Sequence, residues 1–155
     1  MTKTWHPEIK FAMKENPEII FGSETSGHFI FKNFYCIDDG ILASIYFLKT
    51  LSAEKKKLDE ILKELKNRYF ITEEKNFPIP NRERALEILI NLEKYYQKEK
   101  GKISKIDGLS VKFPGWRFNL RPSETELLLR LNLEANSKTL MEEKEKEVTE
   151  LIERS

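Results

Sequence analysis

The chain has one cysteine, Cys36, among its 155 residues. No internal disulfide can form, which suits a reducing compartment. Between Tyr35 and Ile37, Cys36 reads as a small buried residue. An excess of either charge is missing too: 27 Lys and Arg face 26 Asp and Glu, a formal net charge of +1. That balance favours neither nucleic acid nor an anionic membrane as partner. Long apolar runs are absent. The longest, Gly40 to Leu48, is far too short to cross a bilayer. The N-terminal stretch MTKTWHPEIK lacks the apolar core of a secretion signal. A cytoplasmic protein is expected.

What is present is 39% hydrophobic and 34% charged, the composition of a globular chain with a heavily charged surface. Its length suits one domain, or a small domain plus a piece of another. Composition changes near Thr50-Leu51-Ser52, where aromatic-rich sequence gives way to Lys/Glu-rich helices. Two parts are therefore expected, 1–52 and 53–155.

In the first part, Pro7 to Glu15 reads as a helix, and Ile19–Phe21 and His28–Phe34 as strands. Asp38-Asp39-Gly40 opens and caps a helix through Leu51 that is apolar nearly all round, and so should be buried on several sides. In the second part, helices are expected over 53–67, 81–99 and 138–154, the last with Leu140, Lys144, Val148, Leu151 and Ile152 inward. Residues 69–72 read as a strand. Leu109–Phe113 and Trp116–Leu120 form a hairpin about Pro114-Gly115. Leu127, Leu129, Leu131 and Leu133 alternate with Leu128, Arg130, Asn132 and Glu134, the mark of a strand with one buried face. The fold class is α+β: an antiparallel sheet with helices on one face, preceded by the incomplete α/β tail of a larger domain.

Two loops carry the chemistry. Ser23-Glu24-Thr25-Ser26-Gly27-His28 presents an acid, hydroxyls and an imidazole. A carboxylate can accept from two sugar hydroxyls, Ser26 and His28 can donate or accept, and Gly27 permits close approach. Read alone, it is better explained as a Ser/Thr-rich connection with His28 satisfied in the core. Arg121-Pro122-Ser123-Glu124-Thr125-Glu126 offers a guanidinium fork that matches phosphate oxygens in pairs, hydroxyl donors, and a turn stiffened by proline. Glu124 and Glu126 argue against a generic anion trap, and a polar turn with an Arg–Glu pair explains the same residues.

Taken together, Glu-x-Ser-Gly-His and the later Arg-Pro-Ser-x-Thr-Glu before an apolar strand resemble the α-D-phosphohexomutases, in their phosphomannomutase/phosphoglucomutase branch. The likeness spans nearly the whole chain, including the Thr2-Lys3-Thr4-Trp5-His6 start and the Asp-Asp-Gly helix start. It implies that residues 1–52 are the C-terminal portion of the family's third, sugar-reading domain and 53–155 its fourth, phosphate-clamping domain. Glu24, Ser26, His28 and His6 would then bind the sugar. Arg121, Ser123 and Thr125 would hold the phosphate, with Glu124 setting which backbone groups face it. Ser23 stands where the family usually has Gly, Glu124 where it has Asn or Gly, Leu127 where it has Pro, and Trp5 replaces a usual glycine.

The family's phosphoserine motif and its Asp-rich Mg²⁺ loop are not in this sequence. No catalytic residue and no metal ligand is therefore expected here. The resemblance implies Mg²⁺ and a hexose 1,6-bisphosphate activator for the whole enzyme, a hexose phosphate as substrate, and the enzyme's N-terminal domains as partners. A chain of this kind alone should be inactive. The alternatives are a stand-alone sugar-phosphate binding or regulatory module, and a helix-rich interaction module using the charged faces of 53–67 and 138–154, although most such faces are only solvated surface.

Overall fold

The computed structural model describes residues 6–24, 26–66 and 69–155. Trp5 and the rest of the start motif before His6 lie outside these residues, as does Thr25. The chain forms two compact units, residues 1–62 and 63–155. The expected break at 52–53 falls at the end of a helix, whereas the units divide between Leu62 and Lys63, within the next one.

The first unit begins with helix α1 (His6–Glu15) and continues into three short antiparallel strands, β1 (Phe21–Ser23), β2 (Phe29–Phe31) and β3 (Ile37–Asp38), in that order across the sheet. Gly22 is what lets α1 lie on β1: a Cβ there would stand 2.2 Å from Ile9 Cγ2. The strand expected over 28–34 stops at Phe31 and turns into 3-10 helix over Lys32–Phe34, with Tyr35 and Cys36 both at positive φ. Cys36 is half-buried rather than buried. Helix α2 (Gly40–Ala53) starts where the Asp-Asp-Gly motif places it, but Asp39 alone caps it, accepting from the Leu42 N–H at 2.8 Å. The expectation that α2 is buried on several sides is wrong. No residue of it is buried, and Ile41 is 77% exposed. Three strands of two or three residues cannot cover a helix that is apolar all round. The expected 53–67 helix is shorter, α3 (Leu58–Lys66).

The second unit is a six-stranded antiparallel sheet with two helices on one face. Its strands are β4 (Phe70–Ile71), β5 (Lys75–Pro78), β6 (Lys102–Ser104), β7 (Leu109–Lys112), β8 (Trp116–Pro122) and β9 (Leu128–Ala135). Along the order β4-β9-β8-β7-β6, β9 also takes β5 beside it. Helices α4 (Arg82–Lys98) and α5 (Lys138–Arg154) are capped by Asn81 and Ser137. Ala85, Ile88, Leu92 and Tyr96, spaced three or four apart, give α4 one buried stripe, and Val148 and Ile152 do the same for α5. These meet Leu129, Leu131, Leu133, Phe118, Leu120 and Val111. The alternation of β9 is thus realised, with odd positions in the core and even ones on the opposite face. Lys144, expected inward, lies over the Trp116 ring at 5.5 Å. No helix among the described residues is long and apolar enough to cross a membrane.

Candidate functional site

The two loops lie in different units and are described one at a time. In the first unit the loop joins β1 to β2, whose register puts Ser23 opposite Phe29. The Glu24 N–H donates to the His28 carbonyl at 3.0 Å, and the Gly27 N–H to the Glu24 carbonyl at 3.1 Å. Gly27 sits at φ +88°, in the left-handed region that glycine adopts without strain. Within this tight loop the Ser26 hydroxyl donates to Glu24 Oε2 at 3.1 Å. The other oxygen, Glu24 Oε1, is buried and meets no hydrogen-bond donor among the described residues. A buried carboxylate oxygen without a donor is costly, and a ligand hydroxyl would relieve it.

His28 closes the loop at the start of β2. Its Nδ1 lies 2.5 Å from Asp38 Oδ2, while Asp38 Oδ1 accepts from the Phe29 N–H at 2.8 Å. The hydrogen bond to Asp38 raises the imidazole's proton affinity, aided by the charges of Asp38 and Glu24 and opposed by desolvation and by Lys10. The same bond, with that from Phe29, holds the Asp38 carboxyl below its ordinary range. The ring of His6, at the start of α1, is 5.4 Å from that of His28. The residues expected to read a sugar, Glu24, Ser26, His28 and His6, therefore share one end of the first unit. Sequence reasoning missed Asp38, which it took for part of a helix cap; only the pairing of β3 with β2 brings it to His28.

In the second unit, Arg121 and Pro122 belong to the end of β8 rather than to a turn. Pro122 takes the last position of the strand. The loop proper runs from Ser123 and is closed by the Ser123 N–H donating to the Leu128 carbonyl at 2.9 Å. Ser123 is 4% exposed, the one buried polar residue among those described. The Glu124 carbonyl accepts from Arg82 Nη2 at 2.9 Å, which ties the loop to the start of α4. The side chains of Glu124 and Thr125 are exposed. Behind Arg121 the chain passes through Gly108, at φ +66°, where a Cβ would fall 2.4 Å from the Leu120 carbonyl oxygen and 2.7 Å from Arg121 Cα.

Arg121 stands directly opposite Arg130 on β9. Arg130 Nη2 donates to the Ser123 hydroxyl at 3.3 Å and to Glu126 at 3.0 Å. Glu74, just before β5, reaches both cations: Oε1 lies 3.6 Å from Arg130 Nη1 and Oε2 3.8 Å from Arg121 Nη2. Asn132 holds that carboxylate by donating to Oε2 at 3.0 Å. The Arg130 Nε is buried without an acceptor among the described residues. Two guanidinium groups side by side, one above a buried hydroxyl, form an arrangement able to take a phosphate. Arg130 and Glu74 were not anticipated. Arg130 could have been, because the alternation of β9 already put it on the polar face beside the Arg121 loop.

Residues 1–69 match the sequence model of the family described as "Phosphoglucomutase/phosphomannomutase, alpha/beta/alpha domain III". The chain is 37% identical over 151 residues to a phosphomannomutase of Methanocaldococcus jannaschii, covering 97% of this chain and 32% of that protein. It is 35% identical over 156 residues to a phosphomannomutase of Vibrio cholerae, covering 99% of this chain and 33% of that protein. A crystal structure of a phosphoglucomutase/phosphomannomutase family protein from Burkholderia thailandensis shares the fold, with a TM-score of 0.81 at 24% identity over 99% of this chain and 32% of its own. The chain thus spans about a third of the length of the curated relatives it matches. Over nearly its whole length the chain is similar to about a third of a phosphomannomutase, and residues 1–69 match domain III of the phosphoglucomutase/phosphomannomutase family.

Proposed function

We propose that this chain is the substrate-holding portion of a phosphohexomutase, reading the sugar with the Glu24 loop and the phosphate with the Arg121 loop. The whole enzyme would interconvert hexose 1-phosphate and hexose 6-phosphate through a phosphoserine supplied by the preceding domains, with a hexose 1,6-bisphosphate as activator. The observation that carries this reading is the pairing of Arg121 with Arg130 beside the buried Ser123 hydroxyl. Glu24, with one buried oxygen lacking a donor, supports the sugar-reading half. Positioning of this kind lowers a barrier by holding reactants in line, with no bond made by these side chains.

A metal is implied for the family's whole enzyme, which the expectation above gave as Mg²⁺. Among the described residues no group of three or more His, Cys, Asp or Glu side chains could hold a metal ion. The described residues therefore do not fit the ion.

The test is titration of the ¹⁵N-labelled chain with inorganic phosphate and with glucose 1-phosphate. Phosphate should move the amides of 121–126. The sugar phosphate should in addition move Glu24 and Ser26. Shifts that avoid 121–126 would overturn the phosphate assignment. The chain alone should show no mutase turnover with Mg²⁺ and a bisphosphate present, and turnover clearly above a blank would overturn the division of labour. Binding of sugar phosphate with no gain of activity on adding the preceding domains of a relative would instead favour the stand-alone binding module.

A further inference from the structure

The Asp38-Asp39 pair divides its work. Asp39 caps α2, and the whole Asp38 carboxylate is turned onto the start of β2. Antiparallel pairing of Ile30 with Asp38 and of Phe31 with Ile37 fixes that carboxylate beside His28 and Phe29. The Asp39 N–H donates to the Phe29 carbonyl at 2.9 Å and locks the same register. One oxygen takes the Phe29 amide and the other faces His28 Nδ1. A carboxylate oxygen only accepts, so the proton of that bond sits on Nδ1. The bond to Asp38 is the only hydrogen bond of His28's side chain among the described residues. Nε2 is the ring atom left over.

We propose that Asp38 is a positioning residue for His28: its carboxylate fixes the imidazole as the Nδ1–H form and leaves Nε2 as the one ring atom open to a ligand hydroxyl. Free imidazole has no such constraint, and a ring that can flip or change tautomer presents the wrong atom part of the time. The bond to Phe29 matters as much as that to His28. It prevents the carboxylate from turning away and makes it a fixed acceptor rather than a mobile surface charge. Around the ring the charged groups are Asp38 on β3, Glu24 in the loop, and Lys10 and His6 on α1. The two carboxylates favour the charged ring and Lys10 opposes it, while the backbone of β2 holds it in place. This inference rests on the proposed sugar-reading role only for the identity of the ligand; the Asp38 effect belongs to the chain itself.

Long-range ¹H–¹⁵N spectra of the full chain distinguish Nδ1–H from Nε2–H imidazole directly. Wild type should show His28 as Nδ1–H above its titration midpoint, with that midpoint above the ordinary 6.5. Finding Nε2–H in wild type would overturn the proposal without any variant. In Asp38→Asn, which still offers an oxygen to the Phe29 amide, the Nδ1–H preference should be lost and the midpoint should fall toward the ordinary value. A folded variant, with unchanged Phe29 and Ile30 amides, whose His28 tautomer and midpoint both stay put would also overturn it. Asp38→Glu, which keeps the carboxylate, should restore part of the shift; a purely structural role would not track charge in this way. Glucose 1-phosphate is then added to wild type. If His28 behaves as described but its Nε2 does not respond, the sugar reading fails and the Asp38 inference stands.

Discussion

Arg121 and Arg130 face each other across β8 and β9, where like charges repel. Glu74 lies between them and tempers that repulsion, so on the proposed function it competes with a phosphate for both guanidinium groups. Arg121→Ala should weaken phosphate binding by roughly one to two orders of magnitude, because a charged hydrogen-bonded contact contributes about 1.5–3 kcal/mol. Glu74→Gln should act the other way, tightening phosphate while lowering the melting temperature. Calorimetric titration and a thermal scan of both variants check the pair; equal loss of affinity in both would mean that Glu74 shapes the site rather than competes for it. At the first loop the pH dependence has a definite sign. The folded-state pKa of His28 is raised, so its contribution to stability is full below 6.5 and fades as pH rises through the folded value. That of Asp38 is lowered, so its contribution is present above about 3.8 and fades as pH falls through the folded value. The pair should therefore stabilise the first unit most between these two ordinary values. Asp38→Asn should flatten that window, as read from β2 amide protection across pH.

Among the elements, the long periodic ones were legible in advance. Helices α4 and α5 and strand β9 carry their burial pattern in their spacing, and Leu131, Leu133, Val148 and Ile152 fall where the period puts them. Strands β3, β5 and β6 were not legible. All three lie at sheet edges, and β5 contains Lys75 and Pro78, which no alternation marks as a strand. The site followed the same rule. Residues in contiguous motifs could be named only through the family those motifs resemble, whereas Glu74 and Asp38 come to their partners only by strand pairing, which is a long-range fact. Two substitutions test the packing. Leu131→Ala removes a fully buried side chain from the middle of the sheet and should cost about 2–5 kcal/mol. Gly108→Ala adds strain at positive φ and pushes on the backbone of Arg121; it should cost about 1–3 kcal/mol. Only the second should also degrade phosphate binding in the chain that remains folded. Denaturant melts followed by phosphate titration separate the two effects.

For the molecule as a whole, the two units differ in how well they are furnished. The second has a continuous core shared by its sheet and two helices, while the first leaves Ile41, Ile45, Phe47 and Leu48 on the surface of α2. A contiguous apolar surface of this kind marks a place meant to be covered. Residues 63–155 alone should fold cooperatively. In the full chain, amides of β7–β9 should exchange with solvent more slowly than those of β1–β3. Uniform protection in a monomeric chain would mean that the first unit is self-sufficient after all.

The alternation in β8 and β9 has one more consequence. Leu120 is core and Arg121 lies on the opposite face; Leu129 and Leu131 are core and Arg130, between them, lies on that same opposite face. A slip of one residue in this pairing would send one strand's arginine inward and its leucines out, so the burial of the leucines keeps both arginines on the opposite face. On the proposed function, the phosphate site therefore stands on the same two strands that form the core. On warming, anion affinity should decline only as gently as its enthalpy dictates and then vanish in the same narrow interval in which the sheet melts, making retained phosphate binding a thermometer for the second unit.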